Sequence, residues 1–204
     1  ASRPGLAGLY TGGHRPSKVG ILQEQLDDAV DIARTHDLTI DTVHLHVGRG
    51  VLTDALPAFE MAVERAVPMA ERLVAAGHPI SEVNVGGGLG VPYDTGREPL
   101  DVHAYADVLR RHLAPLGVTV ACEPGDFLTK DMGVLLAEVV SVDDRDGYRF
   151  VGVDAGFNVA PEHFIYEEPV PIVLSRAVDG SRGRPVTVAG NINEGDDLWG
   201  EEVA

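Results

Sequence analysis

A short β-rich run, Glu82-Val83-Asn84-Val85, leads directly into the glycine segment Gly86-Gly87-Gly88-Leu89-Gly90. Apolar and β-branched runs that end at glycine predict buried strands. Two further runs end in the same way: Leu38 to Val47 before Gly48-Arg49-Gly50, and Val118 to Cys122 before Glu123-Pro124-Gly125-Asp126. The sequence therefore predicts three strands, each followed by a turn that carries polar residues or glycines.

Apolar residues with helical spacing separate these three runs. The second helix is predicted to be capped by Thr53 or Asp54 and to end before Gly77. The apolar residues lie in the segments Leu22 to Ala33, Leu56 to Val74 and Val102 to Leu113. A β-α-β-α-β order predicts the α/β fold class with a parallel sheet, and such folds bind ligands beyond the carboxyl ends of their strands. All three turns are expected there.

The pattern changes after Leu136, where long helices give way to short β-rich runs and turns. We expect a boundary near residues 134–140 and an antiparallel β module beyond it. The predicted strands are Glu138 to Val142, Tyr148 to Val153, Val170 to Leu174 and Pro185 to Ala189.

Composition limits the possible partners. The formal net charge is −16 at pH 7, and the isoelectric point is near 4.7, so nucleic acid and anionic membranes are not expected as partners. The sequence has no apolar run of transmembrane length and no signal-peptide pattern at its start. The single cysteine, Cys122, lies in an apolar run and is expected to be buried and inert. We expect a cytoplasmic protein.

Three polar features at the strand ends have alternative interpretations. His44 and His46 are expected to project to the same face of a strand. They could bind a metal, pack as a hydrogen-bonded pair, or stack on a cofactor ring. Gly86 to Gly90 lacks the dinucleotide-binding pattern, but it can form a tight turn or an anion-binding nest of backbone N–H groups. Glu123 is either a solvated carboxylate or the acid that keeps a heteroaromatic nitrogen protonated.

Six segments, in order and spacing, resemble motifs of one family, the fold-type III (alanine racemase-like) pyridoxal-phosphate-dependent decarboxylases, which include diaminopimelate and ornithine decarboxylases. Together they span nearly the whole chain. The segments and the motifs they resemble are Ser17 to Ile21 (K-F-G), His44 to Gly50 (H-x-H-I/V-G-S), Asn84 to Tyr93 (D-I-G-G-G-L-G-I-P-Y), Glu123 to Leu128 (E-P-G-R-x-L/V), Val153 to Asn158 (V-D-A-G-x-N) and Gly190 to Asp197 (G-P-x-C-E-S-G-D).

This resemblance implies the C-terminal half of a β/α (TIM-like) barrel at residues 1–136, followed by part of an antiparallel β domain at 137–204. It also implies pyridoxal 5'-phosphate as cofactor and loss of the α-carboxylate of an amino acid as carbon dioxide. His46 would stack on the pyridine ring, Gly86, Gly87 and Gly88 would hold the phosphate, and Glu123 would pair with the ring nitrogen. Gly125 is expected beside the cofactor.

The family's Schiff-base lysine lies on an early barrel strand, and neither Lys18 nor Lys130 occupies such a position. The substrate-facing tyrosine near the family's C-terminus is also missing. We therefore expect part of a longer or split enzyme. The resemblance implies a head-to-tail homodimer, and the alternative is a complementary chain that carries the lysine.

Four departures from the family pattern matter for the site. Arg49 stands where the family has serine and Asp126 where it has a phosphate-contacting arginine, so we hypothesise that the positive charge has moved to the neighbouring strand end. Asn193 replaces the cysteine that handles a proton in the family, and an amide cannot act as that acid. Glu162 replaces the arginine that binds a distal carboxylate in diaminopimelate decarboxylases.

The substrate is therefore expected to have a cationic distal end, because carboxylates attract ammonium groups. The remaining predicted contacts with the substrate are Tyr166, Glu167, Glu194 and Asp197, of which Glu194 is also predicted, with His46 and Asn193, to be catalytic. Two alternatives stay open. One is a catalytically silent homologue that binds and regulates an active decarboxylase, and the other is a metal-dependent barrel hydrolase.

Overall fold

The computed structural model describes residues 19–92, 96–166, 170–175 and 183–203, except for the side chains of Glu162 and Tyr166. The predictions for Lys18 and Glu167 lie outside these residues. The chain divides into two compact units, with the boundary between Gly133 and Val134.

The first unit contains the predicted parallel sheet, with the strands in the order β1-β2-β3. Its elements are β1 (Thr42–His44), β2 (Glu82–Asn84), β3 (Thr119–Ala121), α1 (Leu26–Thr35), α2 (Leu56–Ala75), α3 (Val102–Leu113) and the short α4 (Gly125–Thr129). Each strand is followed by one of the three turns identified in the sequence. The strands are shorter than predicted, because only three residues of each run pair with a neighbour.

The apolar face of α2 packs on the sheet. Phe59 and Val63 are fully buried, as are Val83 and Val85 in and just after β2, and all four belong to one hydrophobic cluster. Pro57 lies in the first turn of α2, where a missing N–H costs no hydrogen bond.

The predicted cap of α2 is wrong. No side chain caps this helix, which follows a 3-10 turn at Thr53–Ala55. The Thr53 hydroxyl instead donates to the Pro99 carbonyl oxygen at 2.6 Å and accepts from the Asp101 N–H at 2.7 Å. Thr53 therefore connects the start of α2 to the loop before α3.

Asp101 caps α3, since its carboxylate accepts from the backbone N–H groups of His103 and Ala104. At the other end of α3, His112 Nε2 lies 2.9 Å from Glu60 Oε1 on α2, and Arg111 also binds this carboxylate. The hydrogen bond with His112 is the main reason that the pKa of Glu60 is lowered. These polar contacts join the outer surfaces of α2 and α3.

Cys122 is exposed, so the expectation of a buried thiol is wrong. β3 is an edge strand of the three-stranded sheet, and Thr119, Val120 and Cys122 are all exposed. The apolar run around Cys122 correctly predicted a strand, but within the described residues no helix or further strand covers it.

The second unit is a four-stranded sheet in the order β4-β5-β6-β7. Its elements are β4 (Val139–Arg145), β5 (Tyr148–Val153), β6 (Val186–Ala189), β7 (Leu198–Val203) and the short helix α5 (Pro161–Tyr166). The outer pairs are antiparallel, whereas β5 and β6 run parallel. The sheet is therefore mixed rather than purely antiparallel.

Two strand predictions in this unit need correction. β4 continues to Arg145 because the turn is only Asp146-Gly147, both with positive φ, as a tight hairpin requires. Val170 to Leu174 forms no strand. Pro171 lies within this run, and proline has no N–H to donate to a sheet.

None of the helices in the described parts of the chain is long and apolar enough to cross a lipid bilayer.

Candidate functional site

Gly87 lies between the side chain of His46 and the backbone of Glu123. Its N–H donates to His46 Nδ1 at 3.4 Å, and a Cβ atom at Gly87 would stand 2.2 Å from the Glu123 carbonyl oxygen. Because these residues follow β2, β1 and β3 respectively, the structure brings three strand ends together at one rim of the sheet. The hydrogen bond also places the proton of a neutral His46 ring on Nε2.

The Glu123 carboxylate is held through one of its two oxygens. Asn84 Nδ2 donates to Glu123 Oε1 at 2.8 Å, and His44 Nε2 lies 3.7 Å from the same oxygen. The Glu123 N–H donates to the Gly86 carbonyl oxygen at 2.8 Å. Glu123 Oε2 has no hydrogen-bond partner among the described residues, and the side chain is 55% exposed. This oxygen can therefore accept a hydrogen bond from a ligand.

The glycine segment packs tightly against the turn after β1. A Cβ atom at Gly88 would stand 1.8 Å from the Gly48 carbonyl oxygen, and Gly88 also has a φ of +85°. Val51 N–H donates to the Gly88 carbonyl oxygen at 2.9 Å. The absence of side chains here is required for the strand ends to approach each other, a role that the sequence analysis did not assign.

The predicted nest of N–H groups is smaller than expected. Gly86 N–H donates to Asn84 Oδ1 at 2.9 Å, Gly87 N–H donates to His46, and Gly125 N–H donates to the Glu123 carbonyl oxygen at 2.8 Å. Within the glycine segment, the N–H groups of Gly88 and Leu89 donate to none of the described residues. These two are the backbone donors of the segment that could bind an anion.

Arg49 and Asp126, the two residues of the charge-relocation hypothesis, form an ion pair. Arg49 Nη2 lies 3.3 Å from Asp126 Oδ2, and Lys130 Nζ lies 3.7 Å from the same oxygen. The Arg49 side chain is only 9% exposed. Two cations thus surround one carboxylate, beside the turn that packs on Gly88, and this charge favours an anionic group nearby.

The predicted residues of the second unit have separate surroundings. Asn193 and Glu194 are exposed, and Glu194 Oε1 accepts from the Gly195 N–H at 3.0 Å. Asp197 is 2% exposed; its Oδ1 accepts from the Phe157 N–H and its Oδ2 from the Ile192 N–H, both at 2.8 Å. Both Asp197 carboxylate oxygens therefore accept from backbone N–H groups of this unit. Glu162 and Tyr166 lie on α5, and their side chains are not described.

Sequence reasoning missed Asn84 and Lys130. Asn84 is the last residue of β2, and only Val85 separates it from the glycine segment. A polar side chain at a strand end was the signal that could have identified it as a site residue. Lys130 follows Asp126 by four residues, which places both on one face of a helix.

The residues at this rim fit a phosphorylated heteroaromatic cofactor better than a metal ion. Within the described residues, no group of three or more His, Cys, Asp or Glu side chains could hold a metal. Glu123 Oε2 can accept from a protonated ring nitrogen, the His46 ring offers a flat face, and Gly88 N–H can donate to a phosphate oxygen.

Two family descriptions match the chain in succession. "Pyridoxal-dependent decarboxylase, pyridoxal binding domain" matches residues 5–130, and "Pyridoxal-dependent decarboxylase, C-terminal sheet domain" matches residues 115–204.

Similar curated proteins are diaminopimelate decarboxylases. The one from Methanothermobacter thermautotrophicus is 31% identical over 201 residues, which is 94% of this chain and 46% of that protein. The one from Streptomyces coelicolor is 34% identical over 198 residues, with 93% and 43% covered. The chain thus spans less than half the length of these relatives.

Solved structures of decarboxylases are also similar to this chain. Diaminopimelate decarboxylase from Helicobacter pylori, complexed with L-lysine, has a TM-score of 0.75 at 27% identity, with 87% of this chain and 44% of that chain covered. The lysine/ornithine decarboxylase from Vibrio vulnificus, complexed with cadaverine, has a TM-score of 0.76 at 21% identity, with 92% and 50% covered, and at that identity it shows the fold alone.

Proposed function

The chain belongs to the pyridoxal-dependent decarboxylases, and we propose that it binds pyridoxal 5'-phosphate and removes the α-carboxylate of an amino acid as part of a longer or split enzyme. The observation that carries this proposal is the meeting of His46, Gly87 and Glu123 at one rim. These residues follow three different strands, and they supply the flat ring, the close-packed glycine and the acid that this cofactor needs.

When bound, pyridoxal 5'-phosphate supplies an electron sink for the electron pair that remains when the bond to the carboxylate breaks. Glu123 would keep a proton on the ring nitrogen by accepting its hydrogen bond at Oε2, because Oε1 already accepts from Asn84. His46 is oriented by the Gly87 N–H, so that its ring can lie against the pyridine face.

The Gly88 N–H and the Arg49 guanidinium would hold the phosphate of the cofactor. Gly88 packs on Gly48 and Arg49, and Asp126 Oδ2 pairs with Arg49 Nη2 at 3.3 Å. This arrangement supports the relocation of the positive charge from the position of Asp126 to that of Arg49. A guanidinium can bind two phosphate oxygens at once, which a serine hydroxyl cannot do.

The substrate is an amino acid with a cationic distal end. Glu162 and Glu194, with Glu167, supply carboxylates in the second unit, and Glu194 is exposed. Carboxylates would attract an ammonium group and repel a second carboxylate.

The lysine that forms the Schiff base with the cofactor is neither Lys18 nor Lys130. It comes either from further sequence of the same protein or from a complementary chain. We place the active form in the cytoplasm as a homodimer or as a pair of unlike chains. Because the amide of Asn193 cannot act as an acid, another group must supply the proton that completes the reaction.

The test is release of carbon dioxide by the native protein, purified with any chain that accompanies it and supplied with pyridoxal 5'-phosphate. Lysine, ornithine, arginine and diaminopimelate are the substrates to compare. We expect turnover of the first three to exceed that of diaminopimelate. Equal turnover of diaminopimelate would contradict the substrate class. Cofactor binding without turnover of any amino acid would instead identify a silent homologue.

A further inference from the structure

Asn84 connects the glycine segment to the acid at the rim. Its side-chain amide uses both ends: Oδ1 accepts from the Gly86 N–H at 2.9 Å, and Nδ2 donates to Glu123 Oε1 at 2.8 Å. We propose that Asn84 is a positioning residue, which fixes the Glu123 carboxylate by one oxygen so that the other faces the ring nitrogen of the cofactor. This proposal rests on the proposed function.

The backbone closes the same connection. Glu123 N–H donates to the Gly86 carbonyl oxygen at 2.8 Å, so Asn84, Gly86 and Glu123 form a ring of three hydrogen bonds across two strand ends. Rotation of the Glu123 side chain would break the bond with Asn84. The carboxylate is therefore preorganised, although more than half of its side chain is exposed.

The chemistry of the amide suits this position. An amide has one donor end and one acceptor end, and here the donor faces a carboxylate and the acceptor faces a backbone N–H. His44 Nε2, 3.7 Å from the same Glu123 oxygen, lies beyond hydrogen-bond distance. Asn84 is thus the side chain that orients Glu123 within the described residues.

The experiment compares the affinities of the native protein for pyridoxal 5'-phosphate and for its 1-deaza analogue, which lacks the ring nitrogen. The ratio of the two dissociation constants isolates the contact with that nitrogen. Binding is followed by quenching of protein fluorescence, so turnover is not needed. The variants are Asn84→Leu, Glu123→Gln and, as a matched control, Ser81→Ala, which removes a side-chain hydrogen bond to the Asp41 carbonyl oxygen at the other end of β2.

We expect the native protein and Ser81→Ala to prefer the natural cofactor over the analogue equally. Asn84→Leu is expected to reduce this preference about tenfold, because a charge-assisted hydrogen bond is lost, while its affinity for the analogue stays the same. Glu123→Gln is expected to abolish the preference. Asn84→Ser provides a second variant if the leucine prevents folding, which circular dichroism detects.

An unchanged preference in Asn84→Leu, together with its loss in Glu123→Gln, would overturn the positioning role and leave the proposed function intact. Equal losses of affinity for the cofactor and the analogue would also overturn it, since Asn84 would then serve only structure. Failure of the native protein to bind either compound would overturn the proposed function itself.

Discussion

Arg49 and Asp126 both differ in charge from the pattern that the family resemblance implies, and their ion pair gives a direct test. Arg49→Ser is predicted to weaken binding of pyridoxal 5'-phosphate about tenfold, since a charged hydrogen bond to the phosphate is removed. Adding Asp126→Arg should recover most of this loss, because the double variant restores the family's serine and arginine. The measurement is cofactor titration of the parent, the two single variants and the double variant.

Arg72→Ser is the matched control, because Arg72 pairs with Asp27 at 2.7 Å on an exposed surface. Its affinity for the cofactor should equal that of the parent. If Arg49→Ser binds the cofactor as well as the parent does, the charge has not moved to Arg49.

Gly87 allows no side chain, since a Cβ atom would stand 2.2 Å from the Glu123 carbonyl oxygen. Gly87→Ala is predicted to lower the free energy of unfolding by about 2 kcal/mol and to weaken cofactor binding by separating His46 from Glu123. Urea unfolding and cofactor titration measure the two effects. Gly133→Ala is the control, because its Cβ atom would meet no atom within 4 Å. Equal stability of the two variants would refute the close packing.

The grouping of His46, Gly87 and Glu123 was predictable, because residues at the carboxyl ends of neighbouring parallel strands share one edge. The hydrogen bond between Asn84 and Glu123 was not. It depends on the register in which Asn84 pairs with Ala121, and a single sequence does not specify the register between strands. Burial of Asp197 was missed for a similar reason, since its N–H donors lie on separate loops.

At the scale of the helices, α2 and α3 pack through an aromatic pair. The ring centroids of Phe59 and Tyr105 are 4.9 Å apart, and burial raises the pKa of Tyr105 to about 12. The neutral phenol is therefore favoured in the folded state. Its contribution to stability is fully present below pH 10 and is lost as the pH rises towards 12.

We predict that the free energy of unfolding falls by up to about 1.4 kcal/mol per pH unit between pH 10 and pH 12 from this residue. Tyr105→Phe should lack this component, whereas Tyr148→Phe, which removes an exposed tyrosine, should keep it. Urea unfolding from pH 8 to pH 11 provides the comparison. Parallel pH profiles for the parent and Tyr105→Phe would contradict the burial of the hydroxyl.

In the second unit, Asp197 connects two loops that lead into and out of strands. Asp197→Ala would leave the Phe157 and Ile192 N–H groups without their acceptor, and it is predicted to lower the free energy of unfolding by about 3 kcal/mol. The neighbouring exposed residue provides the control, Asp196→Ala, with a change below about 0.5 kcal/mol. Unchanged stability together with a raised KM would favour the substrate contact predicted from the sequence.

Most elements of the first unit were predictable, since α2 and α3 have long apolar stripes and Gly77 marks the end of α2. The second unit was harder. Its strands are short, and the parallel pairing of β5 with β6 joins segments that are far apart in sequence. The run at Val170 had strand-like composition, but proline prevented the pairing, and β7 was not predicted at all.

Over the whole molecule the net charge is strongly negative, whereas two cationic side chains lie near the glycine segment. The net charge is −16, yet Arg49 and Lys130 both lie within 4 Å of the same Asp126 oxygen. The chain has only two lysines, so the placement of one of them beside this strand end, together with Arg49, supports a local preference for anions at the rim.

A crystal structure of the native protein with pyridoxal 5'-phosphate tests the central claim most directly. The account predicts that the pyridine ring lies against His46, with its nitrogen within hydrogen-bond distance of Glu123 Oε2 and its phosphate at Gly88 N–H and Arg49. A cofactor bound elsewhere, or bound here with its nitrogen directed away from Glu123, would contradict the account.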